Sequence, residues 1–297
     1  MIRVATAPVS WGILEFEGQS AQQPWPAVLD EMQDAGYAGT ELGPYGFLPT
    51  EAADLQAAVA ARGLELLSAF VPVRLADPAA RETGLAAARQ VGALLAACGC
   101  RTIVLSDDNA ADPARLARAG RITAADGLDE TGWQALAGNV NAIARRLLAE
   151  LGLATVFHHH CAGFVETPAE IDRLLDLTDP ALVGLCLDTG HYAYGGGDPV
   201  DCLRRHGERV RYVHLKDADP AIMARARRDG LDYFEAVAAG VFCELGRGCV
   251  DFSVLIDELN SGGFDGWAVV EQDILPGTGT PLESARRNRA YLKQWGL

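Results

Sequence analysis

The chain lacks features that mark several classes of protein. Its 297 residues contain no apolar run approaching the roughly 18–20 residues that a membrane span needs. Positive charge is scarce, because 25 Lys and Arg face 40 Asp and Glu, which gives a net charge of −15. Proteins that bind nucleic acids or anionic membranes gain affinity from basic residues, so the sequence predicts neither partner. The opening residues turn polar too soon for a signal peptide, and we expect a cytoplasmic protein.

Two sequence motifs are also missing. The seven cysteines are an odd number, and Cys98 and Cys100 have one residue between them, unlike the two of a zinc or redox motif. This pattern predicts reduced thiols of the kind that cytoplasmic proteins carry. The segment after the first β-rich run, 8–12, is not the glycine-rich fingerprint of a dinucleotide site.

What the chain does contain is a regular alternation of β-rich runs and segments of helical period. The predicted strands are 4–6, 39–42, 64–71, 101–105, 153–160, 182–188, 210–216 and 267–271. The predicted helices are 25–35, 51–62, 79–98, 131–151, 168–177, 199–206, 252–259 and 282–295. Eight β and eight α units in this order predict an α/β fold, a closed (β/α)₈ TIM barrel formed by one domain over 1–297, with an open doubly wound sheet as the alternative.

Two connections are long for a compact domain, 106–130 and 217–251, and loops of this length are usually functional. We expect the second to fold over the mouth of the barrel as a lid. A helix-like stretch at 221–238 precedes Phe242, which would help to exclude water. A contact between subunits is the alternative interpretation of this segment.

Four successive predicted strands end in side chains that can bind a metal: His158, Asp188, His214 and Glu271. The active site of such a barrel lies at the C-terminal ends of its strands, where these residues would meet. Core histidines bonded to the backbone, and an Asp188 that only caps the next helix, are the alternatives. Mixed imidazole and carboxylate ligands suit Mn, Co, Fe or Zn. We expect one divalent ion, with Mn or Co favoured and Zn, Fe or Mg as alternatives.

Two further side chains share a strand face with these ligands. His160 lies two residues after His158, and Lys216 lies two residues after His214, so each points to the same side as its ligand. His160 would stand about 7 Å further toward the rim. A lysine solvated at the rim is the alternative for Lys216.

At this point the chain resembles a known superfamily. The motifs at 188–191 (DTGH), 214–217 (HLKD) and 267–273 (WAVVEQD) are similar to those of the xylose-isomerase-like TIM barrels, which include sugar isomerases, ketose 3-epimerases and endonuclease IV. The resemblance implies Asp188, His214 and Glu271 as metal ligands. The glutamate that usually ends the fifth strand is replaced by His158.

Within this superfamily the chain most resembles the inosose dehydratases. The matching segments are 157–160, 188–191, 214–217, 242–248 and 266–273, with similar early segments at 7–11 and 39–43; residues 12–16 depart from the polar stretch that these dehydratases tend to carry. The resemblance implies a metal-dependent lyase that dehydrates a keto-polyol such as 2-keto-myo-inositol through a metal-stabilised enediolate.

Such a reaction needs a base for the proton beside the ketone and an acid for the departing hydroxyl. His160, Glu41 and Lys216 are the candidates, and the sequence does not order them. The matching motifs also place Trp11, His191, Phe242 and Asp273 where we expect substrate contacts.

Three other functions compete with a dehydratase. A metal-dependent sugar isomerase or epimerase shares the barrel and the enediolate and is the closest alternative. An endonuclease is disfavoured because no histidine precedes His158 and the net charge is −15. A non-catalytic sugar-binding barrel is disfavoured by the complete set of ligands. Barrels of this superfamily often self-associate, which implies a homo-oligomer.

Overall fold

The computed structural model describes residues 1–14, 23–109 and 111–297. The strands are β1 (Ile2–Thr6), β2 (Gly39–Thr40), β3 (Glu65–Leu66), β4 (Phe70–Val73), β5 (Thr102–Asp107), β6 (Ala154–His158), β7 (Val183–Asp188), β8 (Val210–Leu215), β9 (Asp217–Ala218), β10 (Phe242–Cys243) and β11 (Gly266–Val270). The helices are α1 (Trp25–Ala35), α2 (Ala52–Ala60), α3 (Arg81–Ala97), α4 (Pro113–Arg118), α5 (Glu130–Leu151), α6 (Pro168–Leu177), α7 (Thr189–Tyr194), α8 (Pro199–His206), α9 (Pro220–Asp229), α10 (Tyr233–Ala238), α11 (Phe252–Ser261) and α12 (Pro281–Lys293). The predicted alternation of strands and helices is confirmed.

The helix boundaries follow from local chemistry. Several helices begin with a capping side chain followed by proline, which needs no amide partner in the first turn. The capping residues of this kind are Asp112, Thr167, Asp198 and Asp219. Helices α1 and α5 end at Gly36 and Gly152, whose φ angles of 87° and 66° favour glycine.

The main sheet is parallel and runs in the order β3-β2-β1-β11-β8-β7-β6-β5-β4. Its two ends, β3 and β4, are consecutive pieces of the strand predicted at 64–71. That prediction of one unbroken strand was wrong at 67–69, where the chain passes from pairing beside β2 to pairing with β5: Ser68 O accepts the amide of Leu42, and Ala69 O accepts that of Val104. The first piece pairs with β2 and the second with β5, so the sheet closes as a (β/α)₈ barrel.

A small apolar cluster fills the inside of the barrel. Its buried members are Ala5, Ala7, Leu67, Val104, Val156, Cys186, Tyr212 and Val269. Side chains alternate along a strand, so the residue two positions further on points to the same side, one layer nearer the mouth. Val156, Cys186, Tyr212 and Val269 therefore stand directly below positions 158, 188, 214 and 271.

Two elements at the mouth differ from the sequence prediction. The fifth predicted strand, 153–160, ends at His158, because the amide of His160 donates to Val165 O and turns the chain away from the sheet. Helix α7 was not predicted. It begins immediately after Asp188, whose Oδ1 accepts the amide of His191 at 2.8 Å and caps the helix.

The segment 217–251 contains the antiparallel pair β9 and β10 and the helices α9 and α10. The stretch 221–238 is two helices rather than one, because Gly230 ends α9 with a φ of 74°. Arg121, in the other long connection, donates to the carbonyls of Ala226 and Leu231 and joins the two connections. Among the described residues, no helix is both long and apolar enough to cross a membrane.

Candidate active site

The four predicted ligands meet at the C-terminal mouth of the barrel. Ligand atoms of His158, Asp188, His214 and Glu271 all lie within 4.8 Å of one another, and all four side chains are buried. They come from β6, β7 and β8 and from the residue after β11, which are four neighbouring strands of the sheet. The strand ends thus build one compact group of imidazole and carboxylate ligands.

The charges at this site fit a bound cation. Three buried carboxylates, those of Asp188, Glu271 and Asp273, surround one buried ammonium, that of Lys216, and a fourth buried carboxylate, that of Glu41, contacts His214. Buried charges of one sign are costly unless they are paired or hold a metal. Asp188 Oδ2 and His214 Nδ1 are buried without a hydrogen bond of good geometry among the described residues, although Lys216 Nζ lies 3.2 Å from the first and Glu271 Oε2 lies 3.2 Å from the second. A divalent ion would satisfy both atoms and offset the excess negative charge.

The two ligand imidazoles differ in their electrostatic surroundings. Burial lowers the pKa of His158 to about 4, which leaves its imidazole neutral, as a metal ligand must be. Burial would also lower the pKa of His214, but Cys186, Glu271 and Glu41 raise it well above its usual value. A metal binding to His214 would therefore release a proton.

Glu41, at the end of the second strand, lies against one of these ligands. Its Oε1 is 3.1 Å from His214 Nε2, and the carboxylate is buried. A carboxylate on one imidazole nitrogen fixes the ring so that the other nitrogen faces the metal. Glu41 also lines the cavity at the mouth, so it is placed both to orient His214 and to reach a substrate.

Lys216 connects the ligand group to the rest of the cavity. Its Nζ lies 3.2 Å from Asp188 Oδ2, 3.1 Å from Glu271 Oε2 and 2.7 Å from Asp273 Oδ1. Burial would lower the pKa of this ammonium, but the three carboxylates outweigh burial and hold the pKa well above its usual value. The interpretation of Lys216 as a solvated rim lysine was wrong, because the side chain is 1% exposed.

His160 lines the same cavity, although it lies beyond the end of its strand. Its ring centroid is 5.6 Å from that of His158 and 3.8 Å from that of His191. The Asn109 amide nitrogen lies 2.7 Å from His160 Nδ1. Burial, together with His191 and His158, lowers the pKa of His160 well below its usual value. This imidazole is neutral and able to accept a proton.

Asp273 also lines the cavity and is held by three partners. Tyr233 donates to Asp273 Oδ2 at 2.8 Å, His191 Nε2 lies 3.4 Å from the same oxygen, and Lys216 approaches Oδ1. His160, His191 and Asp273 also have the spacing of a metal site. Because the group around Asp188 brings four ligand atoms together rather than three, it is the better metal site.

Two residues expected at the substrate lie behind the cavity wall. Trp11 is 3% exposed, and its indole N–H donates to Glu31 Oε2 at 2.7 Å. Phe242 is 2% exposed, with its ring centroid 5.0 Å from Lys216 Nζ and 4.7 Å from the His191 ring. Neither is among the residues that line the cavity. His191, a third residue expected at the substrate, does not line the cavity either. Trp11 packs in the core, and Phe242 packs against His191, which contacts Asp273, and against Lys216, which lines the cavity.

The sequence did not single out three residues that line the cavity: Phe70, Asn109 and Tyr233. Asn109 and Tyr233 lie in the two long connections, whose length was the available signal. Phe70 begins β4, and its ring stands edge-on to that of His158 at 5.4 Å. Phe70 lies inside the strand predicted at 64–71, where nothing in the pattern distinguishes an apolar residue that lines the site from one in the core.

Known proteins of similar sequence cover the whole chain. The inosose dehydratase of Geobacillus kaustophilus (strain HTA426) is 34% identical over 293 residues, which are 98% of this chain and 93% of that protein. The rhizopine catabolism protein MocC of Rhizobium meliloti is 34% identical over 98% of this chain and 87% of its own length.

Solved structures and a family model agree on the fold. A probable 3-DHS dehydratase, AsbF, from Bacillus anthracis has a TM-score of 0.71 at 17% identity, covering 99% of both chains. An L-ribulose 3-epimerase has the same TM-score and identity, covering 99% of this chain and 94% of its own. The family model described as xylose isomerase-like TIM barrel matches residues 29–295. The chain belongs to the xylose isomerase-like TIM barrel family, in which the inosose dehydratases are among its relatives.

Proposed function

We propose that the protein is a metal-dependent carbon–oxygen lyase that removes water from a keto-polyol such as 2-keto-myo-inositol. One observation carries the proposal: two of the four proposed metal ligands, His158 and Glu271, line one cavity together with a buried lysine and a neutral histidine. Full-length relatives at 34% identity include an inosose dehydratase, which supports this reaction on this site.

Dehydration beside a ketone breaks a C–H bond and a C–O bond and forms a carbon–carbon double bond, while the proton and the hydroxyl leave as water. A divalent ion at the ligand group would polarise the ketone oxygen and make the adjacent C–H more acidic. His160 is our candidate for accepting that proton, because its neutral imidazole lines the cavity. Lys216 would donate to the departing hydroxyl, and Glu41 would orient His214 or share the proton transfer.

The ion itself is proposed to be Mn²⁺ or Co²⁺, held by His158, Asp188, His214 and Glu271. Two imidazoles and two carboxylates suit these ions, and Zn²⁺, Fe²⁺ or Mg²⁺ are the alternatives. We assign Asp273 to direct contact with the substrate, since it lines the cavity. We assign His191 and Phe242 to supporting the residues that make this contact. No described contact of Trp11 favours a substrate role, because its indole N–H binds Glu31.

We also propose that the segment 217–251 is a lid. Tyr233, Phe234 and Val237 of α10 line the cavity, so this segment covers the substrate position. Excluding water there would strengthen the electrostatic interactions with the substrate.

The cellular setting is proposed from the relatives and the thiols. The seven cysteines are free, which is typical of a cytoplasmic enzyme, and a role in inositol catabolism agrees with the relatives' names. We expect a homo-oligomer, which light scattering of the purified protein would detect as a multiple of 31.5 kDa.

The test of the reaction uses the purified protein, each candidate metal and 2-keto-myo-inositol. We expect a product that has lost the mass of one water and absorbs as a dione. The Asp188→Asn variant, prepared in the same way, controls for contaminating enzymes and should be inactive. A product of unchanged mass would instead establish the isomerase or epimerase, and absence of any product with every metal would contradict the proposal.

A further inference from the structure

A thiol lies directly beneath the proposed metal ligands. Cys186 is on β7, two residues before Asp188, and its side chain belongs to the apolar cluster inside the barrel. Its sulfur atom, one ring nitrogen of His158 and one ring nitrogen of His214 all lie within 4.8 Å of one another, and all three side chains are buried. We call these three residues the sulfur site, and the four metal ligands described above the carboxylate site.

The two sites share both imidazoles and differ in their other ligands. The carboxylate site adds Asp188 and Glu271, whereas the sulfur site adds the thiol of Cys186. Carboxylate oxygens suit Mn²⁺ and Mg²⁺, while thiolate sulfur favours softer ions such as Zn²⁺. Zinc in proteins is commonly bound by imidazole nitrogen and thiolate sulfur together. The softness of an ion should therefore decide which site it occupies, and only one ion at a time has the use of both imidazoles.

The imidazole of His158, which both sites share, lacks hydrogen bonds of its own. Among the described residues, its Nδ1 is buried without a hydrogen-bond partner. Its Nε2 lies 3.5 Å from Asp188 Oδ2, which is longer than such bonds usually are. A buried polar atom without a partner is costly, and a bound metal ion would satisfy it. The ring is therefore not committed to the carboxylate site.

The two sites also differ in their access to a substrate. His158 and Glu271 line the cavity, whereas Cys186 and His214 do not. An ion in the sulfur site would be held by a side chain inside the barrel, one layer below the mouth. It would also take both imidazoles from the carboxylate site, which would then lack the ion that polarises a ketone.

We infer that His158, Cys186 and His214 form a second binding site, for thiophilic divalent ions such as Zn²⁺ and Cd²⁺, that excludes the ion of the carboxylate site. Binding forms a metal–sulfur bond and releases the thiol proton to water, because the thiolate is the ligand, and no oxidation state changes. An ion in the sulfur site should block the reaction. This last consequence rests on the proposed dehydratase function, whereas the binding itself does not.

The first experiment titrates chelator-treated protein with Cd²⁺, whose bond to a thiolate adds an ultraviolet absorption band that bonds to nitrogen and oxygen do not add. Wild type should show this band with one equivalent of Cd²⁺, and Cys186→Ser should lose it. Cys202→Ser is the matched control, because Cys202 is equally buried but lies on α8. Cys249→Ser tests an exposed thiol and should also keep the band.

Cys186→Val is the second variant, because valine already occupies the same layer of the barrel at positions 156 and 269. It should lose the Cd²⁺ band as Cys186→Ser does. Unchanged Mn²⁺ affinity shows that a variant is folded. A band that persists in the folded Cys186 variants, or that disappears in Cys249→Ser, would overturn the sulfur site.

Glu271→Ala makes the opposite change, because Glu271 is a ligand in the carboxylate site alone. This variant should lose Mn²⁺ affinity and keep the Cd²⁺ band. In wild type, Mn²⁺ at 100 times its Kd should weaken the apparent affinity for Cd²⁺ by about 100-fold, because the two ions exclude each other. Loss of the band in Glu271→Ala, or binding of the two ions without competition, would overturn the inference.

The effect on turnover separates this inference from the proposed reaction. Cd²⁺ or Zn²⁺ added to the Mn²⁺-loaded protein should stop the loss of water from 2-keto-myo-inositol, in proportion to the Cd²⁺ band where Cd²⁺ is used. A band without dehydration by any metal would show that the reaction is wrong and the sulfur site is correct. Dehydration that continues while the band is complete would overturn the block, and dehydration without any band would overturn the sulfur site.

Discussion

His160 and Lys216 face the same cavity with opposite electrostatic surroundings. His160 has other imidazoles as its near neighbours, and burial with these neighbours lowers its pKa. Lys216 has three carboxylates, which raise its pKa against the effect of burial. At neutral pH one cavity is thus lined by a neutral imidazole and a charged ammonium, the protonation states from which a proton acceptor and a proton donor start.

Replacing His160 should remove proton transfer without removing the metal. We expect His160→Gln to slow solvent deuterium exchange beside the ketone by about 100-fold or more, with metal content unchanged. His206→Gln is the control, because His206 lies on α8 and contacts Asp172, away from the cavity. Exchange near the wild-type rate in His160→Gln would exclude it as the base and make Lys216 the next candidate.

Glu41 should behave differently, because it contacts a predicted metal ligand. Glu41→Gln keeps the size of the side chain but weakens its hold on His214 Nε2. Loss of such a carboxylate partner typically lowers metal affinity by 10- to 100-fold. Metal titration of the variant measures this effect. Unchanged affinity with lost deuterium exchange would show that Glu41 transfers the proton instead.

Strand periodicity predicted which side chains the barrel brings together at its mouth. His158, Asp188, His214 and Glu271 each follow an apolar run, and alternation places them on one side. Tyr233 could not be found in this way, since no local pattern connects its helix to the barrel mouth. Trp11 was chosen by resemblance alone, and its contact with Glu31 is invisible in the sequence.

At the scale of elements, the loop after β6 holds His160 in place. Ala162 in this loop has a φ of 74°, a strained conformation for a residue other than glycine. Glu166 stabilises it, with Oε2 accepting the amide of Ala162 at 2.8 Å and Oε1 accepting the amide of Gly120 at 2.7 Å. One buried carboxylate therefore joins the loop to the long connection 106–130.

This carboxylate should make stability depend on pH. Burial raises the pKa of Glu166 from 4.5 to about 7, so the folded chain holds a proton there more tightly than the unfolded chain does. The free energy of unfolding should fall by about 2 kcal/mol between pH 5 and 8 from this group. In urea unfolding, this fall in the free energy of unfolding between pH 5 and 8 should disappear in Glu166→Gln. It should remain in the control Glu208→Gln, which changes an exposed acid. An equal fall in all three proteins would contradict the assignment.

The lid offers a second test at this scale. Deleting 221–238 removes α9 and α10 but none of the metal ligands, so turnover should be lost while metal binding and barrel helicity remain. Tyr233→Phe is the milder variant, because it removes only the hydroxyl that binds Asp273. Turnover should fall about 10-fold in this variant. Unchanged activity in the deletion variant would reject the lid.

The sequence predicted the repeated strand and helix units, but it did not predict the irregular segments at their ends. The eight-fold alternation gave the barrel, because apolar runs of strand length and helical periods are local signals. The break at 67–69 was hidden, since it depends on pairing with both neighbouring strands: Ser68 O accepts the amide of Leu42, after β2, and Ala69 O accepts that of Val104, in β5. Helix α7 was hidden too, because Asp188, which caps it, was interpreted from the sequence as a metal ligand.

At the scale of the whole molecule, the proposed metal joins distant parts of the chain. Its proposed ligands lie at the ends of β6, β7 and β8 and directly after β11, and β11 pairs with β1 at the start of the sequence. A ligand that binds only the folded barrel stabilises it by about 2.7 kcal/mol at 100 times its Kd. The metal should therefore protect the entire barrel against unfolding, in addition to its part in the reaction.

Thermal unfolding with and without metal measures this coupling. Adding Mn²⁺ or Co²⁺ to chelator-treated protein should raise the melting temperature by several degrees, given about 2–4 °C per kcal/mol for domains of somewhat smaller size. Asp188→Ala and Glu271→Ala each remove one ligand, so both should lose the shift and most of the bound metal. Glu208→Gln, which changes an exposed acid, should keep both the shift in melting temperature and the bound metal. Full metal occupancy in both alanine variants would show that the ion binds elsewhere, because a site built on four neighbouring strands cannot lose a ligand from β7 or β11 without losing affinity.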